Sequence, residues 1–258
     1  MKKKKEQLIS VIIPAYKQER TIQKNLHKVE EVLQKLPYDY EIICVVDGKI
    51  DKTFKRAKGV KSPKIKVYSY ERNKGKGFAV RYGMAKSKGD IIAFMDAGMD
   101  FKPTSLPMLL AHFEWYKADI IVGSKRHPAS KIDYPLQRRI LSQGYQLLVR
   151  FLFGVKVRDT QSGIKIFKRK VVEDVLPRLL VKQFAFDIEM LSVARRLGYK
   201  RIYEAPIEMN WTWSNSVLSK SLWKTIQNML IDTLAVFYRL KILRYYDKKK
   251  NKENYKQS

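Results

Sequence analysis

The chain has 258 residues, 45% of them hydrophobic, which is enough to form one sizeable core. Its one cysteine, Cys44, excludes an intrachain disulfide framework, and no apolar run approaches the roughly 20 residues of a spanning helix or the pattern of a secretion signal. A formal net charge of +28 favours an anionic partner, such as nucleic acid, an anionic membrane or a phosphorylated substrate.

Short apolar runs alternate with helical patterns in the first half of the chain. This alternation predicts an α/β fold with a mostly parallel, doubly wound sheet, whose ligands bind beyond the carboxyl ends of the strands. The predicted strands are Leu8–Ile13, Tyr40–Val46, Ile65–Tyr70, Ile91–Met95 and Asp119–Val122. The predicted helices are Glu19–Leu36, Asp51–Ala57, Gly77–Ala85 and Ser105–Tyr116.

The second half is less regular and ends in an amphipathic, basic segment. Between Leu218 and Tyr246, apolar and aromatic residues recur at helical spacing among lysines and arginines, and the basic run Lys248–Lys252 follows. Such a helix can lie in a membrane interface, or it can pack on the domain's own core or on a partner subunit. We therefore expect a globular domain at 1–216 and an amphipathic helical segment at 217–258.

The other predicted elements of the second half are helices Pro135–Phe153 and Asp187–Leu197, strand Ile164–Phe167 and strand Arg201–Glu208. Pro206 predicts that this last strand lies at the edge of the sheet.

The predicted strand Ile91–Met95 ends abruptly in a carboxylate, Asp96, and Gly98 and Asp100 follow at once. Carboxylates at the carboxyl edge of a buried strand suit Mg²⁺ or Mn²⁺, because these ions prefer oxygen ligands and need few from the protein when a phosphate also binds them. Asp96 and Asp100 are therefore the candidate metal ligands.

Three other loops carry candidate site residues. Asp47 follows a strand and can accept hydrogen bonds from a base or ribose, or from its own turn. Asn73–Gly77 opens a helix, where glycines permit close approach of an anion and Lys76 can meet a phosphate. Asp159–Gly163 offers one carboxylate and two hydroxyls, or is an ordinary polar turn. Cations near the same sheet edge come from Lys125, Arg126, Arg138 and Arg139.

Taken in chain order, these loops resemble those of glycosyltransferase family 2, which has the GT-A fold. Val11–Tyr16 is similar to the opening strand and nucleotide loop, Val46–Thr53 to the DDGSxDxT stretch, Asn73–Gly77 to NxGxG, and Asp96–Gly98 to the metal-binding DXD motif. Gly98 stands where the second Asp of DXD is usual, so Asp100 or water becomes the expected second ligand. The other departures from the family patterns are Gln18, Val46, Lys49 and the segment Trp211–Ser216.

Later motifs resemble the branch of the family that uses polyprenyl phosphates, and the resemblance implies a role for each matching residue. The motifs are Gly123–Arg126, Arg138–Ser142, Asp159–Lys168, Phe186–Glu189 and Ala205–Glu208. The nucleotide-sugar would be bound by Pro14, Tyr16, Asp47, Lys76 and Asp96, and the metal by Asp96 with Asp100. The acceptor phosphate would be bound by Lys125, Arg126, Arg138, Arg139, Ser142 and Ser162. The catalytic set would be Asp96, Arg138, Arg139 and Asp159.

By this resemblance, the chain would move a hexose, glucose or mannose, from a UDP- or GDP-sugar to a polyprenyl phosphate. The reaction would invert the anomeric carbon and use Mg²⁺ or Mn²⁺. The enzyme would be cytoplasmic and peripheral on the inner face of an anionic membrane, with no nucleic-acid partner.

Two alternatives stay open. One is a soluble family 2 enzyme acting on a saccharide hydroxyl, with Asp187 or Glu189 as the base. The other is a non-catalytic relative that binds a nucleotide-sugar.

Overall fold

A seven-stranded sheet carries helices on both faces. The computed structural model describes residues 7–130, 136–183, 185–209 and 222–248, and at 136–142 and 222–226 it describes the backbone alone. The strands are β1 (Leu8–Ala15), β2 (Asp39–Val46), β3 (Ile65–Ser69), β4 (Ile91–Met95), β5 (Ile120–Ser124), β6 (Ile164–Lys168) and β7 (Ile202–Pro206). The helices are α1 (Ile22–Gln34), α2 (Thr53–Lys58), α3 (Lys76–Lys86), α4 (Leu106–Trp115), α5 (Leu136–Phe153), α6 (Arg169–Val175), α7 (Phe186–Arg196) and α8 (Leu222–Phe237).

The strands lie in the order β3-β2-β1-β4-β6-β5-β7. All neighbouring pairs are parallel except those of β6, which runs antiparallel to both β4 and β5. The mostly parallel α/β sheet is therefore confirmed, and β7 is the edge strand that Pro206 predicted. Because β6 is reversed, its first residue, Ile164, pairs with the last residue of β4, Met95. The loop that precedes β6 thus lies at the same edge as the carboxyl ends of the parallel strands.

Two hydrophobic clusters cover the two faces of the sheet, because successive strand side chains point to opposite sides. On one face, residues such as Ile12 and Phe94 pack with side chains of α3, α5, α6, α7 and α8. On the other face, residues such as Val11 and Cys44 pack with α1, α2 and α4. Cys44 is buried, and desolvation raises its pKa to about 12, so the thiol is inert core as predicted.

Several element boundaries differ from the predictions for local reasons. Helix α2 begins at Thr53 rather than Asp51, because the Asp51 carboxylate accepts a hydrogen bond from the Thr53 backbone N–H at 2.9 Å and so stays outside the helix. Helix α6 follows β6 without a break and was not predicted. No helix in the described ranges has the length and apolarity needed to cross a bilayer.

The C-terminal segment is one amphipathic stretch with both a core side and an exposed side. After α8 the chain continues through a π-helical turn, Tyr238–Ile242, and a 3-10 turn, Tyr245–Asp247. Val236, Leu240 and Tyr246 are buried in the main core, whereas other apolar residues of the stretch are exposed. The packing alternative is therefore confirmed for one face. The predicted domain boundary at 216/217, the segment Trp211–Ser216 and most of the run Lys248–Lys252 lie outside the described residues.

Candidate active site

A cavity of about 380 Å³ opens beyond the carboxyl ends of β1, β2 and β4. This is the edge at which ligands bind in doubly wound sheets. All five residues predicted to bind the nucleotide-sugar line it. The full lining is Pro14, Ala15, Tyr16, Gln18, Asp47, Asn73, Gly75, Lys76, Asp96, Ala97, Gly98 and Gln183.

Asp47 holds the loop that forms one wall of the cavity through hydrogen bonds to its buried carboxylate. Its side chain is 3% exposed, and its carboxylate accepts hydrogen bonds from the Tyr70 hydroxyl at 2.8 Å and the Asn73 amide at 2.9 Å. The backbone N–H groups of Lys74 and Gly75 donate to it as well, at 2.7 and 3.0 Å. Burial and this carboxylate together raise the pKa of Tyr70. Asp47 thus fixes the loop that leads into α3, and its contact with a base or ribose stays a prediction.

Lys76 and Asp96 form an ion pair in the cavity. The Lys76 ammonium lies 2.8 Å from one Asp96 carboxylate oxygen and 2.9 Å from the other. About a third of each side chain is exposed, at 34% and 33%. Burial lowers the pKa of Lys76, but the charges of Asp96 and Asp187 outweigh it, so the net pKa is raised. The two residues predicted to meet the diphosphate and its metal therefore contact each other directly.

Gly163 fixes the position of the Asp96 carboxylate. The Asp96 backbone N–H donates to the Gly163 carbonyl at 3.0 Å, and a Cβ added at Gly163 would overlap Asp96 Oδ2. This close approach is possible because β6 is reversed and starts beside the end of β4. Sequence reasoning included Gly163 only as a loop residue. Its only local signal was a glycine immediately before a strand.

The carboxylate oxygens of Asp96 and Asp100 are of the ligand type that a hard divalent cation prefers. The site already holds one cation, the Lys76 ammonium, between the two oxygens of Asp96. Asp100 lies nearby, with Oδ1 4.0 Å from the point where a Cβ on Gly98 would be. Within the described ranges, no group of three or more Asp, Glu, His or Cys side chains could hold a metal. Binding of Mg²⁺ or Mn²⁺ through Asp96, with Asp100 as second ligand and other oxygens from water and a diphosphate, therefore stays a prediction.

Of the predicted acceptor residues, Lys125, Arg126 and Ser162 lie in loops on the β5–β6 side of the same edge. Asp159 is buried, and its carboxylate accepts the Lys125 backbone N–H at 3.0 Å, with the Lys125 ammonium at 3.9 Å. Asp159 thus positions Lys125, and a catalytic role for it stays a prediction. The Ser162 hydroxyl is buried and bonds to no other described group. Arg126 follows Lys125 in the same loop, whereas the side chains of Arg138, Arg139 and Ser142, in the first two turns of α5, lie outside the described residues.

A buried ion pair, Lys165–Asp187, contacts the predicted acceptor loop Asp159–Gly163. The sequence analysis did not predict this pair. The Lys165 ammonium is bonded to Asp187 and to the Ser162 carbonyl, each at 2.5 Å. Lys165 is 1% exposed, and burial lowers its pKa although Asp187 opposes the shift. The available signal was one cation inside the apolar run of β6. Because Asp187 is already paired and neither it nor Glu189 lines the cavity, the geometry gives no support to either as a general base.

The sequence of the chain is similar to those of known glycosyltransferases. The model of a family described as "Glycosyl transferase family 2" matches residues 10–176. A dolichyl-phosphate beta-glucosyltransferase of Homo sapiens is 31% identical, over 85% of this chain and 72% of that protein. Another of the same name from Drosophila melanogaster is 30% identical, over 85% of this chain and 71% of its length.

Solved structures agree on the fold. Glucosyl-3-phosphoglycerate synthase from Mycobacterium tuberculosis, in complex with Mn²⁺, UDP and glucosyl-3-phosphoglycerate, superposes with a TM-score of 0.66 at 19% identity, covering 90% of this chain and 79% of that one. Mannosyl-3-phosphoglycerate synthase from Rubrobacter xylanophilus gives 0.70 at 15% identity, covering 91% and 75%. The fold is therefore GT-A. From the family match over residues 10–176 and the relatives at 30–31% identity, the chain belongs to glycosyl transferase family 2.

Proposed function

We propose that the chain transfers glucose from a nucleotide-sugar, in first place UDP-glucose, to a polyprenyl phosphate. The observation that carries this proposal is the cavity at the sheet edge, where five predicted donor residues converge around the Lys76–Asp96 pair. Several relatives that cover most of the chain are named dolichyl-phosphate beta-glucosyltransferases, which favours glucose and a lipid phosphate. Mannose and a GDP-sugar are the second choice.

In the proposed reaction, an oxygen of the acceptor phosphate forms a bond to the anomeric carbon of the sugar. The bond from that carbon to the diphosphate breaks, and a nucleoside diphosphate leaves with the bonding electrons. In-line attack inverts the anomeric carbon. Mg²⁺ or Mn²⁺, held by Asp96 with Asp100, would supply charge neutralisation for the leaving diphosphate. Lys76, beside the same carboxylate, would add a second positive charge next to that diphosphate.

The acceptor side follows from the chemistry of a phosphate nucleophile. A phosphate monoester is already anionic at neutral pH, so it needs cations to bind it rather than a strong base to deprotonate it. Lys125 and Arg126 lie in the loop after β5, and Arg138, Arg139 and Ser142 in α5 are the predicted partners. A planar guanidinium binds phosphate through two hydrogen bonds, which suits the arginines to this role. The engagement of Asp187 and Glu189 inside the protein is consistent with a reaction without a general base.

An exposed apolar stripe supports peripheral attachment to a membrane, on the cytoplasmic, inner face in our proposal. Ile231, Leu234, Tyr238 and Ile242 are each more than half exposed and recur every three or four residues, so they share one side of α8 and its π-helical turn. Lys241 and Arg244 lie in the same stretch and are exposed. An apolar stripe with adjacent cations is the pattern of a helix that lies in the interface of an anionic membrane.

The activity is tested with a panel of UDP- and GDP-sugars, a polyprenyl phosphate and Mg²⁺ or Mn²⁺, by measuring lipid-linked sugar. We expect UDP-glucose to be the best donor and the metal to be required. Asp96→Asn should lower transfer by a factor of about 100 or more, because the main metal ligand and Lys76 partner loses its charge. Asp90→Asn is the matched control, since Asp90 precedes the same strand at its opposite end and its carboxylate accepts the Leu8 backbone N–H.

Two results would contradict this proposal. Near-normal transfer by Asp96→Asn would exclude the metal role of Asp96. Transfer to a water-soluble saccharide, with none to the lipid phosphate, would favour the soluble family 2 alternative.

A further inference from the structure

The C-terminal turn, Tyr245–Asp247, is fixed to the core by three sets of hydrogen bonds. The Tyr246 side chain is fully buried, and its hydroxyl donates to a Glu189 carboxylate oxygen at 2.6 Å. The Arg178 guanidinium donates to the Tyr246 carbonyl at 2.9 Å. The Arg196 guanidinium donates twice to the Asp247 carboxylate, at 2.8 and 2.6 Å. The turn therefore binds both α7 and the 3-10 turn that ends at Arg178.

Glu189 joins this turn to a loop segment formed by residues 180–183. Its carboxylate is 0% exposed and accepts the backbone N–H groups of Leu180, at 3.0 Å, and Val181, at 2.9 Å. The Arg239 guanidinium, from the π-helical turn after α8, lies 4.0 Å away. Burial raises the pKa of Glu189, while Tyr246 and the two N–H groups oppose the shift. A buried carboxylate held by these donors fixes the segment 180–183 against α7.

The segment 180–183 in turn forms part of the wall of the donor cavity. The Lys182 carbonyl accepts the Gly77 backbone N–H at 2.9 Å, in the first turn of α3. At Gly75, a Cβ would lie 2.5 Å from that carbonyl, so the two backbones touch. Gln183 itself lines the cavity. The Glu189 carboxylate is thus two hydrogen bonds away from the helix start that carries Lys76.

We propose that the C-terminal turn is a positioning element of the donor site. Tyr246, acting through Glu189, holds the segment 180–183 against the start of α3 and so sets the shape of the nucleotide-sugar cavity. This inference rests on the proposed use of that cavity for a nucleotide-sugar. It gives the C-terminal segment a role in donor binding in addition to the proposed role in membrane attachment.

The test removes single hydroxyl groups. Tyr246→Phe deletes the donor to Glu189 and keeps the buried ring. Tyr199→Phe is the matched control, because the Tyr199 hydroxyl also bonds a carboxylate, Asp174, at 2.6 Å. Its described hydrogen bonds are to Asp174 and to the Lys170 carbonyl, neither of which lines the donor cavity. The measurements are amide hydrogen exchange at Leu180 and Val181, the dissociation constant for UDP-glucose with Mn²⁺, and the KM values for donor and acceptor.

We expect Tyr246→Phe to speed exchange at Leu180 and Val181 and to weaken UDP-glucose binding by roughly 5- to 30-fold, which is the effect of one or two kcal/mol. The donor KM should rise with it, while the acceptor KM stays unchanged. Tyr199→Phe should change neither quantity. Asp247 is half-exposed, so Asp247→Asn leaves the core packing intact. It should speed amide exchange and weaken UDP-glucose binding as Tyr246→Phe does, but by a smaller factor.

Normal UDP-glucose binding in Tyr246→Phe, or equal losses in Tyr199→Phe, would overturn the positioning role. If Tyr246→Phe does not fold, Asp247→Asn decides in the same way. A wild-type chain that binds no nucleotide-sugar at all would instead refute the proposed function, so the two failures are distinguishable.

Discussion

Gly163 leaves no space for a side chain beside Asp96, so it controls where the carboxylate lies. Gly163→Ala would push Asp96 out of its position beside Lys76, because the added Cβ overlaps Oδ2. We expect normal secondary structure, and transfer and Mn²⁺ affinity both reduced by about 10-fold or more, the effect of roughly 1.4 kcal/mol.

Gly144→Ala is the matched control for that substitution. Gly144 is exposed on α5, and beyond the backbone of its own helix no described atom lies within 4 Å of an added Cβ. Alanine also favours a helix. It should therefore fold at least as stably as the wild type. Unchanged Mn²⁺ affinity in Gly163→Ala would show that Gly163 does not set the position of Asp96.

At the residue scale, the sequence predicted side chains that follow strands and missed those defined by tertiary contacts. Pro14, Tyr16, Asp47, Lys76 and Asp96 were all predicted at the cavity, because a doubly wound sheet gathers its strand ends at one edge. The Lys165–Asp187 pair could not be predicted, since the partners are 22 residues apart and meet only after β6 and α7 pack together. The many internal donors to Asp47 also depend on the folded loop.

For the secondary-structure elements, the sequence patterns predicted where a strand exists but not the direction in which it runs in the sheet. The apolar run of β6 indicated a strand, but periodicity is the same for parallel and antiparallel strands. Its reversal is what brings the loop 159–163 to the donor edge, next to Asp96. The amphipathic pattern after residue 218 predicted a helix correctly, yet it could not tell which side meets the core. The structure assigns Val236 and Leu240 to the core and leaves the stripe exposed.

The exposed stripe gives a prediction for membrane binding. The double variant Ile231→Asn, Leu234→Gln replaces two side chains that are 64% and 54% exposed, so the folded state should tolerate it. Inserting such side chains into a lipid interface contributes on the order of 1.5–3 kcal/mol each. We therefore expect binding to anionic vesicles, measured by co-sedimentation, to fall by about 10-fold or more.

Met108→Gln is the control, because Met108 is 47% exposed on α4, which packs on the opposite face of the sheet. It should bind vesicles as the wild type does. Equal binding by the double variant and the wild type would exclude α8 from the contact.

At the scale of the whole molecule, the net charge of +28 predicts attraction to anionic surfaces that salt weakens. Each lysine or arginine near an anionic leaflet contributes about 1 kcal/mol, and this contribution is lost as screening increases. Binding to phosphatidylserine vesicles should therefore fall steeply as salt is raised, whereas weaker binding to phosphatidylcholine should hardly change.

Charge reversal of the lysines in Lys248–Lys252 tests the terminal run separately and should lower anionic binding at low salt. Equal binding to neutral and anionic vesicles at low salt would contradict an electrostatic contribution. Unchanged binding of the charge-reversed chain would show that the terminal run does not contribute to membrane binding.

The two outer strands of the sheet, β3 and β7, have a consequence for solubility. An outer strand leaves a row of backbone groups unpaired, and a second molecule can add to it and start aggregation. In β3 the charged Lys66, paired with Glu41 at 2.8 Å, interrupts the apolar sequence, and β7 ends in Pro206, which has no N–H to donate. Removing Lys66 to reduce the positive charge would thus make the purified protein more prone to precipitate through this edge.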